Sequence, residues 1–103
     1  MVLGTPGGTT IPTSVYQTIV DIIDFKMTPQ EAVNQPKFHQ QWLPDVIFVE
    51  QGFQNETAKE LEKMGYKIES RDPIGRTEII LVQKNGSLIA VGDHRGDDAA
   101  AGY

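Results

Sequence analysis

An apolar lead, Val2-Leu3, runs into Gly4-Thr5-Pro6-Gly7-Gly8-Thr9-Thr10, and a long helical pattern follows directly. This order restricts the N-terminus to a short extended stretch, a tight glycine loop and a helix start. Glycine lacks a Cβ, so a ligand can approach the main chain of such a loop closely. The first N–H groups of the helix are unpaired and carry positive partial charge. The loop therefore suits a bound anion or a transient oxyanion.

Two interpretations of this loop remain open from the local pattern. The loop lacks the Lys-Ser/Thr pair of a Walker phosphate loop, and its glycine spacing is not that of a dinucleotide site. In the first interpretation, the backbone amides of Gly7 and Gly8 stabilise negative charge. In the second, the residues form a Gly-Pro turn that only starts a helix, and the local sequence by itself favours this simpler alternative.

Composition narrows the class of protein. The 103 residues fit one small domain, and 39% hydrophobic with 22% charged residues are typical of globular proteins. The net charge of −5 argues against nucleic acid or an anionic membrane as a partner. The sequence contains no apolar run of membrane-spanning length and no signal-peptide pattern. Cysteine is absent, and His39 and His94 lack ligand spacing, so neither a metal site nor another cofactor is expected.

Three helices are predicted. The first covers residues 12–25, with Thr10 as its cap and Pro12 in its first turn. Its broad apolar face is expected to be buried, and its polar stripe solvated. The apolar face consists of Val15, Tyr16, Ile19, Val20, Ile22 and Ile23, and the polar stripe of Ser14, Gln17, Thr18, Asp21 and Asp24.

The second and third predicted helices are shorter. The capping box of Thr28 and Glu31 opens the second helix, which buries Ala32 and Val33 and ends near Pro36. The third helix covers residues 54–64 and is ended by a glycine in the left-handed conformation. Its inward residues are expected to be Ala58, Leu61 and Met64, and the glycine is Gly65.

Four strands follow from the remaining apolar runs. Residues 46–50 form a short strand, and residues 66–71 alternate weakly, as an edge strand does. Residues 77–84 are apolar on both sides, which predicts a central strand covered on both faces. Asn85-Gly86 then predicts a hairpin to a return strand over residues 87–91. The order of elements predicts an α+β or a layered α/β/β arrangement, and we take the fold class as α+β, with helices layered on an antiparallel sheet.

Two polar segments have both a functional and a structural interpretation. In residues 36–45, His39 and Trp42 either line a ligand site or have a structural role. The structural role is favoured, with Trp42 filling a gap in the core and His39 forming local hydrogen bonds. In the tail, Asp93, Arg95, Asp97 and Asp98 form either a site or a surface ion-pair cluster, which is favoured.

The sequence lacks a full catalytic set. Ser14 and Ser87 lie within predicted regular elements without an adjacent base, and neither histidine has a carboxylate partner nearby in the sequence. Only the Gly7 and Gly8 amides have a physical rationale for a catalytic role, as hydrogen-bond donors that stabilise negative charge. The chain thus has the features of one part of a larger catalytic apparatus.

A family resemblance adds to this interpretation. Three blocks resemble, in order, the C-terminal part of γ-glutamyltranspeptidase small subunits, and the chain terminus is also similar. These blocks are Gly4-Thr5-Pro6-Gly7-Gly8, then Ile23-Asp24-Phe25 with Glu31-Ala32-Val33-Asn34, then Pro36-Lys37-Phe38-His39-Gln40-Gln41-Trp42-Leu43-Pro44-Asp45, and the terminus comprises Asp93-His94-Arg95 and Ala101-Gly102-Tyr103. The Phe38–Asp45 block is more specific than the glycine loop.

The resemblance implies an N-terminal-nucleophile hydrolase fold, a four-layer αββα sandwich. Members of this family cleave themselves to expose a threonine, which attacks the γ-glutamyl amide of glutathione or a related donor and passes the acyl group to water or an amine. Gly7 and Gly8 match the family's oxyanion-hole positions. The family's nucleophilic threonine and its substrate-gripping serines lie before the glycine loop, and this chain does not contain them. The chain also carries His94 where many relatives carry proline.

Two hypotheses follow. In the first, residues 1–103 are a single domain or fragment from the C-terminal part of a γ-glutamyltranspeptidase small subunit, inactive alone. Its partners would be γ-glutamyl compounds, the rest of the small subunit and the large subunit. In the second, the chain is a noncatalytic module that binds a small anion or a partner protein through the loop. Self-association or marginal stability is expected if half a sandwich stands alone. The resemblance, unlike the residues themselves, implies an exported, periplasmic or surface location.

Overall fold

The computed structural model describes residues 1–102, so the expected resemblance at Tyr103 lies outside the described residues. Within this range the chain forms three helices and six strands, which confirms the α+β class. The elements are β1 (Val2–Gly4), α1 (Thr10–Ile23), α2 (Pro29–Asn34), β2 (Phe38–His39), β3 (Ile47–Val49), α3 (Asn55–Lys63), β4 (Ile68–Ser70), β5 (Glu78–Val82) and β6 (Leu88–Val91).

The strands form two three-stranded sheets. The first sheet is antiparallel in the order β1-β5-β6, with Leu3 paired to Ile79 and Ile79 to Val91. The second has the order β2-β3-β4, in which β2 and β3 are antiparallel and β3 and β4 are parallel. The parallel pair departs from the expected all-antiparallel arrangement, because α3 serves as the crossover that parallel neighbours need.

The core lies between the first sheet and the helices α1 and α2. Val33 from α2 packs against Ile79 and Val91 of the sheet, and three partly buried side chains complete the cluster. These are Leu3, Ile22 and Ile89. The strand β5 is central, as predicted, but within residues 1–102 only one of its faces is covered. On the other face Ile80 is 44% exposed and Val2 is 71% exposed.

Helix α1 buries a different face from the predicted one. Thr10, Ser14 and Thr18 are fully buried, whereas Tyr16 and Ile23 are exposed. The expected solvated stripe was wrong at Ser14 and Thr18 because small side chains four residues apart let the helix approach a neighbouring segment closely. A Cβ added to Gly75 in that segment would lie 2.5 Å from Ser14 Oγ.

The start of α1 also differs from the prediction. The helix begins at Thr10, so Thr9 occupies the cap position, and its side chain makes no capping hydrogen bond. Thr10 was therefore not the cap. Its hydroxyl donates instead to the carbonyl oxygen of Gly7, at 2.9 Å.

The shorter helices follow the sequence more closely. The predicted capping box is present, since Thr28 Oγ1 accepts from Glu31 N and Glu31 Oε2 accepts from Thr28 N. Ala32 and Val33 are buried as expected. Gly65 ends α3 with φ of +98°, as predicted. The expected burial of Met64 was wrong, since this residue caps the C-terminus of α3 and its side chain is 70% exposed.

Of the other local predictions, some are confirmed and one is wrong. The Asn85-Gly86 hairpin is confirmed, with Gly86 at φ +86° between β5 and β6, and β4 lies at the edge of its sheet. The core position expected for Trp42 was wrong, since this side chain is 76% exposed on a loop where its φ is +72°. No helix within residues 1–102 is long and apolar enough to cross a membrane.

Candidate active site

The glycine loop lies between the end of β1 and the first turn of α1. Gly7 has φ of +135° and Gly8 has φ of +60°. Residues with a Cβ rarely adopt such positive values. A Cβ on Gly7 would lie 2.3 Å from Thr10 Oγ1, so glycine is also required there for space. A Cβ on Gly8 would meet nothing within 4 Å, so this residue borders open space.

The carbonyl groups of the loop bond to the helix, and its amides do not. The Gly7 carbonyl accepts from Thr10 N at 3.2 Å and from Thr10 Oγ1 at 2.9 Å, and the Gly8 carbonyl accepts from Ile11 N at 3.1 Å. Within residues 1–102, neither the Gly7 nor the Gly8 N–H donates to a protein acceptor. The chain thus has two neighbouring amides available at the positive end of a helix dipole.

The segment before β5 supports the loop from behind. Thr5 Oγ1 accepts a hydrogen bond from Arg76 N at 2.6 Å. The Arg76 guanidinium forms an ion pair with Asp98, which raises the pKa of Arg76 and lowers the pKa of Asp98. Beside the loop, a groove of about 670 Å³ runs from Pro6 and Arg76 onto the exposed face of the first sheet. The tail and the loop are therefore connected through one arginine.

His39 lies buried beneath the start of α1, and both of its ring nitrogens have partners. Nδ1 lies 2.9 Å from Thr13 Oγ1, and Nε2 lies 2.9 Å from Gln41 Oε1. Two hydrogen bonds orient the Gln41 amide. Thr9 Oγ1 donates to Gln41 Oε1, and Gln41 Nε2 donates to Leu43 O. Because Gln41 Oε1 can only accept a hydrogen bond, the His39 Nε2 next to it must donate. The neutral imidazole of His39 therefore carries its proton on Nε2. His39 thus serves structure through hydrogen bonds, which agrees with the favoured interpretation.

The tail forms a buried charge network, so the expectation of a surface cluster was wrong. The Arg95 side chain is 5% exposed and donates to both Glu50 oxygens at 2.6 Å and to Asp93 at 3.0 Å. Asp93 also accepts from Thr77 N at 2.5 Å. Arg95 also donates to Val33 O, which joins the tail to α2. Of the other tail residues, Asp97 and His94 are exposed, and Asp98 pairs with Arg76.

Two charged groups in this network were missed by the sequence analysis. Glu50 follows the buried strand β3 directly and accepts from Lys37 N at 2.7 Å and from Ile74 N at 2.8 Å. Lys37 is itself buried, and its Nζ donates to Ala32 O and Gln35 O. A charged residue immediately after a fully apolar strand was the available signal for Glu50. No comparable pattern marks Lys37, which lies between Pro36 and an aromatic residue.

The surroundings of this network shift two pKa values. Burial lowers the pKa of Lys37 to about 8, helped by the Arg95 charge and opposed by nearby carboxylates. Burial by itself would raise the pKa of Glu50. The Arg95 side chain and the backbone N–H groups of Ile74 and Lys37 outweigh burial, so the pKa of Glu50 lies below its usual value. Glu50 therefore remains ionised at neutral pH, paired with Arg95.

Comparison with known proteins identifies the family. The γ-glutamyltranspeptidase family model matches residues 1–103. The chain belongs to the γ-glutamyltranspeptidase family. It is 44% identical over 104 residues to the glutathione hydrolase proenzyme of Escherichia coli, covering 100% of this chain and 18% of that protein.

Solved structures of γ-glutamyltranspeptidases show the same fold. The chain matches the Pseudomonas nitroreducens enzyme with a TM-score of 0.91 and 33% identity, covering 99% of this chain and 54% of that one. It matches the Helicobacter pylori T380A mutant with a TM-score of 0.84 and 37% identity, covering 92% and 53%. The expected N-terminal-nucleophile hydrolase fold is therefore confirmed. The chain spans less than a fifth of the length of the E. coli relative.

Proposed function

We propose that this chain is the C-terminal portion of the small subunit of a γ-glutamyltranspeptidase, and that it supplies the oxyanion hole for glutathione hydrolysis or γ-glutamyl transfer. The observation that carries the proposal is the pair of Gly7 and Gly8 amides, which have no protein acceptor within residues 1–102. Family membership supports the substrate class, because the E. coli relative is a glutathione hydrolase.

The proposed chemistry is acyl transfer through a threonine ester. A threonine supplied by another part of the enzyme attacks the γ-glutamyl carbonyl, and the negative charge that develops on the carbonyl oxygen is stabilised by the two amides. Main-chain donors fixed in advance need no reorganisation during the reaction, and loss of one such donor typically costs about 10²- to 10³-fold in rate. His39 is not assigned as the base, because both of its ring nitrogens already have partners.

The exposed face of the first sheet is the proposed contact with the rest of the enzyme. Ile80, Val82 and Leu88 project from this face and are at least 44% exposed. An apolar sheet face is the inner surface of a two-sheet sandwich, so the remainder of the small subunit is its proposed cover, with the large subunit beyond. Without that cover, the same face favours self-association of the chain.

A segment exchange tests the proposal. The matching 104 residues of the E. coli glutathione hydrolase proenzyme would be replaced by this chain, and turnover of γ-glutamyl-p-nitroanilide would be measured. We expect turnover by the chimera and none by the isolated chain. Turnover by the isolated chain would show that it contains a nucleophile of its own. A folded but inactive chimera whose Gly7 and Gly8 amides still respond to phosphate in NMR spectra would favour the noncatalytic anion-binding alternative.

A further inference from the structure

The directions of the Gly7 and Gly8 N–H groups are determined by two neighbouring peptide planes. In a planar trans peptide, the N–H points opposite to the C=O of the preceding residue. The Gly7 N–H therefore opposes the Pro6 carbonyl, and the Gly8 N–H opposes the Gly7 carbonyl. Neither peptide is among the cis bonds of the chain. Any group that holds one of these carbonyls also fixes the direction of the amide behind it.

A threonine hydroxyl holds each of the two carbonyls. Thr5 Oγ1 donates to Pro6 O at 2.9 Å, and Thr10 Oγ1 donates to Gly7 O at 2.9 Å. Each hydroxyl is itself anchored. Thr5 Oγ1 accepts from Arg76 N at 2.6 Å, and Thr10 is 1% exposed in the first turn of α1. The backbone N–H of Thr10 donates to the same Gly7 carbonyl, so two donors converge there.

Glycine makes this control necessary. Residues without a Cβ populate a wide range of φ and ψ, so two consecutive glycines do not by themselves hold their amides in one direction. Rate enhancement by an oxyanion hole requires donors that are already oriented toward the developing charge. Side-chain hydrogen bonds to the loop carbonyls supply the missing restriction. Glycine is required at position 7 because a Cβ there would collide with Thr10 Oγ1, and it is favoured at position 8 by the φ of +60°.

We infer that Thr5 and Thr10 are positioning residues of the oxyanion loop, Thr5 orienting the Gly7 amide and Thr10 orienting the Gly8 amide. This inference rests on the proposed function of the loop. It assigns each threonine to one amide, whereas a general stabilising role would affect both amides together and in proportion to the loss of fold stability.

The test uses the isotope-labelled chain with T5V and T10V, which remove the hydroxyl, and T5S and T10S, which retain it. The order parameters of the Gly7 and Gly8 N–H bonds from nitrogen-15 relaxation and their phosphate-induced chemical shifts would be recorded, and fold stability would be measured by urea unfolding. We expect T10V to lower the Gly8 order parameter from about 0.85, typical of rigid backbone, to below about 0.6 and to weaken its phosphate response, while Gly7 changes little. T5V should have the converse effect, and both serine variants should resemble the wild type.

The outcomes separate this inference from the proposed function. If the wild-type amides do not respond to phosphate, the anion-receiving function fails, but the order parameters still report on the threonines. The inference is overturned if the order parameters of Gly7 and Gly8 are unchanged in both valine variants, or if each variant affects both amides equally. Because Thr10 is buried, T10V could fail to fold. In that case T5V and T5S test the inference, since Thr5 is only half-buried.

Discussion

Replacing Arg95 by methionine should destabilise the chain more than any change to its surface charges. Methionine keeps much of the side-chain volume, but it removes the hydrogen bonds to Glu50, Asp93, Val33 O and Gln35 O. Two carboxylates, both at most 5% exposed, would then lack their cation. Breaking a buried pair in this way costs about 3–5 kcal/mol, out of a total of about 5–15 kcal/mol for a typical domain.

The assay is urea unfolding followed by far-ultraviolet circular dichroism at pH 7. The matched control is R76M, which removes another tail-linked arginine whose side chain is 45% exposed and should lose far less stability. The depressed pKa of Glu50 contributes stability above its unfolded value near 4.5, and that contribution is lost as the pH falls through the folded pKa. The stability difference between the wild type and R95M should therefore shrink as the pH falls through this range, because acid removes from the wild type the same Glu50 contribution that R95M lacks at every pH. A loss below about 1 kcal/mol, or a loss equal to that of R76M, would refute the assignment of a buried network.

Three further predictions concern the rest of the fold. Burial lowers the pKa of Lys37 from 10.5 to about 8, so between these values the folded chain loses a proton that the unfolded chain keeps. The free energy of unfolding should therefore rise by about 2 kcal/mol between pH 7.5 and 9.5. K37M should abolish this rise, and a rise that persists in K37M would contradict the assignment. Ser14 Oγ is buried without a hydrogen-bond partner in residues 1–102, so S14A should leave urea stability unchanged or raise it by up to about 1 kcal/mol. T18A should lower it by about 1 kcal/mol, because Thr18 Oγ1 donates to Ser14 O, and equal losses in both variants would disprove this contrast. The isolated chain should self-associate through the exposed sheet face, so I80K should shift sedimentation equilibrium toward monomer, whereas M64K on α3 should not. A monomeric wild type would exclude this association.

Local patterns were sufficient for the parts of the fold that depend on short-range chemistry. The Thr28 capping box, the Gly65 stop and the Asn85-Gly86 hairpin each involve residues within four positions of one another, and all three are present. The glycine loop belongs to the same class. Its relation to the helix start was predicted because glycine and helix-dipole effects act within one turn.

Long-range contacts explain most of the wrong predictions. Arg95 and Glu50 lie 45 positions apart in the chain, so nothing near either residue indicated that they would pair in the interior. Ser14 and Thr18 read as a solvated stripe because periodicity shows where a face lies and not what packs against it. The close approach of Gly75 reversed that assignment.

The central claim is that the Gly8 amide receives negative charge during acyl transfer, and a pair of glycine substitutions tests it most directly. G8A and G86A place the same methyl group at positions with similar positive φ, +60° and +86°, and with nothing within 4 Å of the new Cβ. Both variants would be made in the E. coli chimera and compared by kcat for γ-glutamyl-p-nitroanilide. We predict a loss of about 10²-fold for G8A, as is typical when one oxyanion-hole donor is lost, because its methyl group would project into the open space beside the Gly8 N–H, and we predict near wild-type turnover for G86A. Equal kcat values for the two variants would contradict the account.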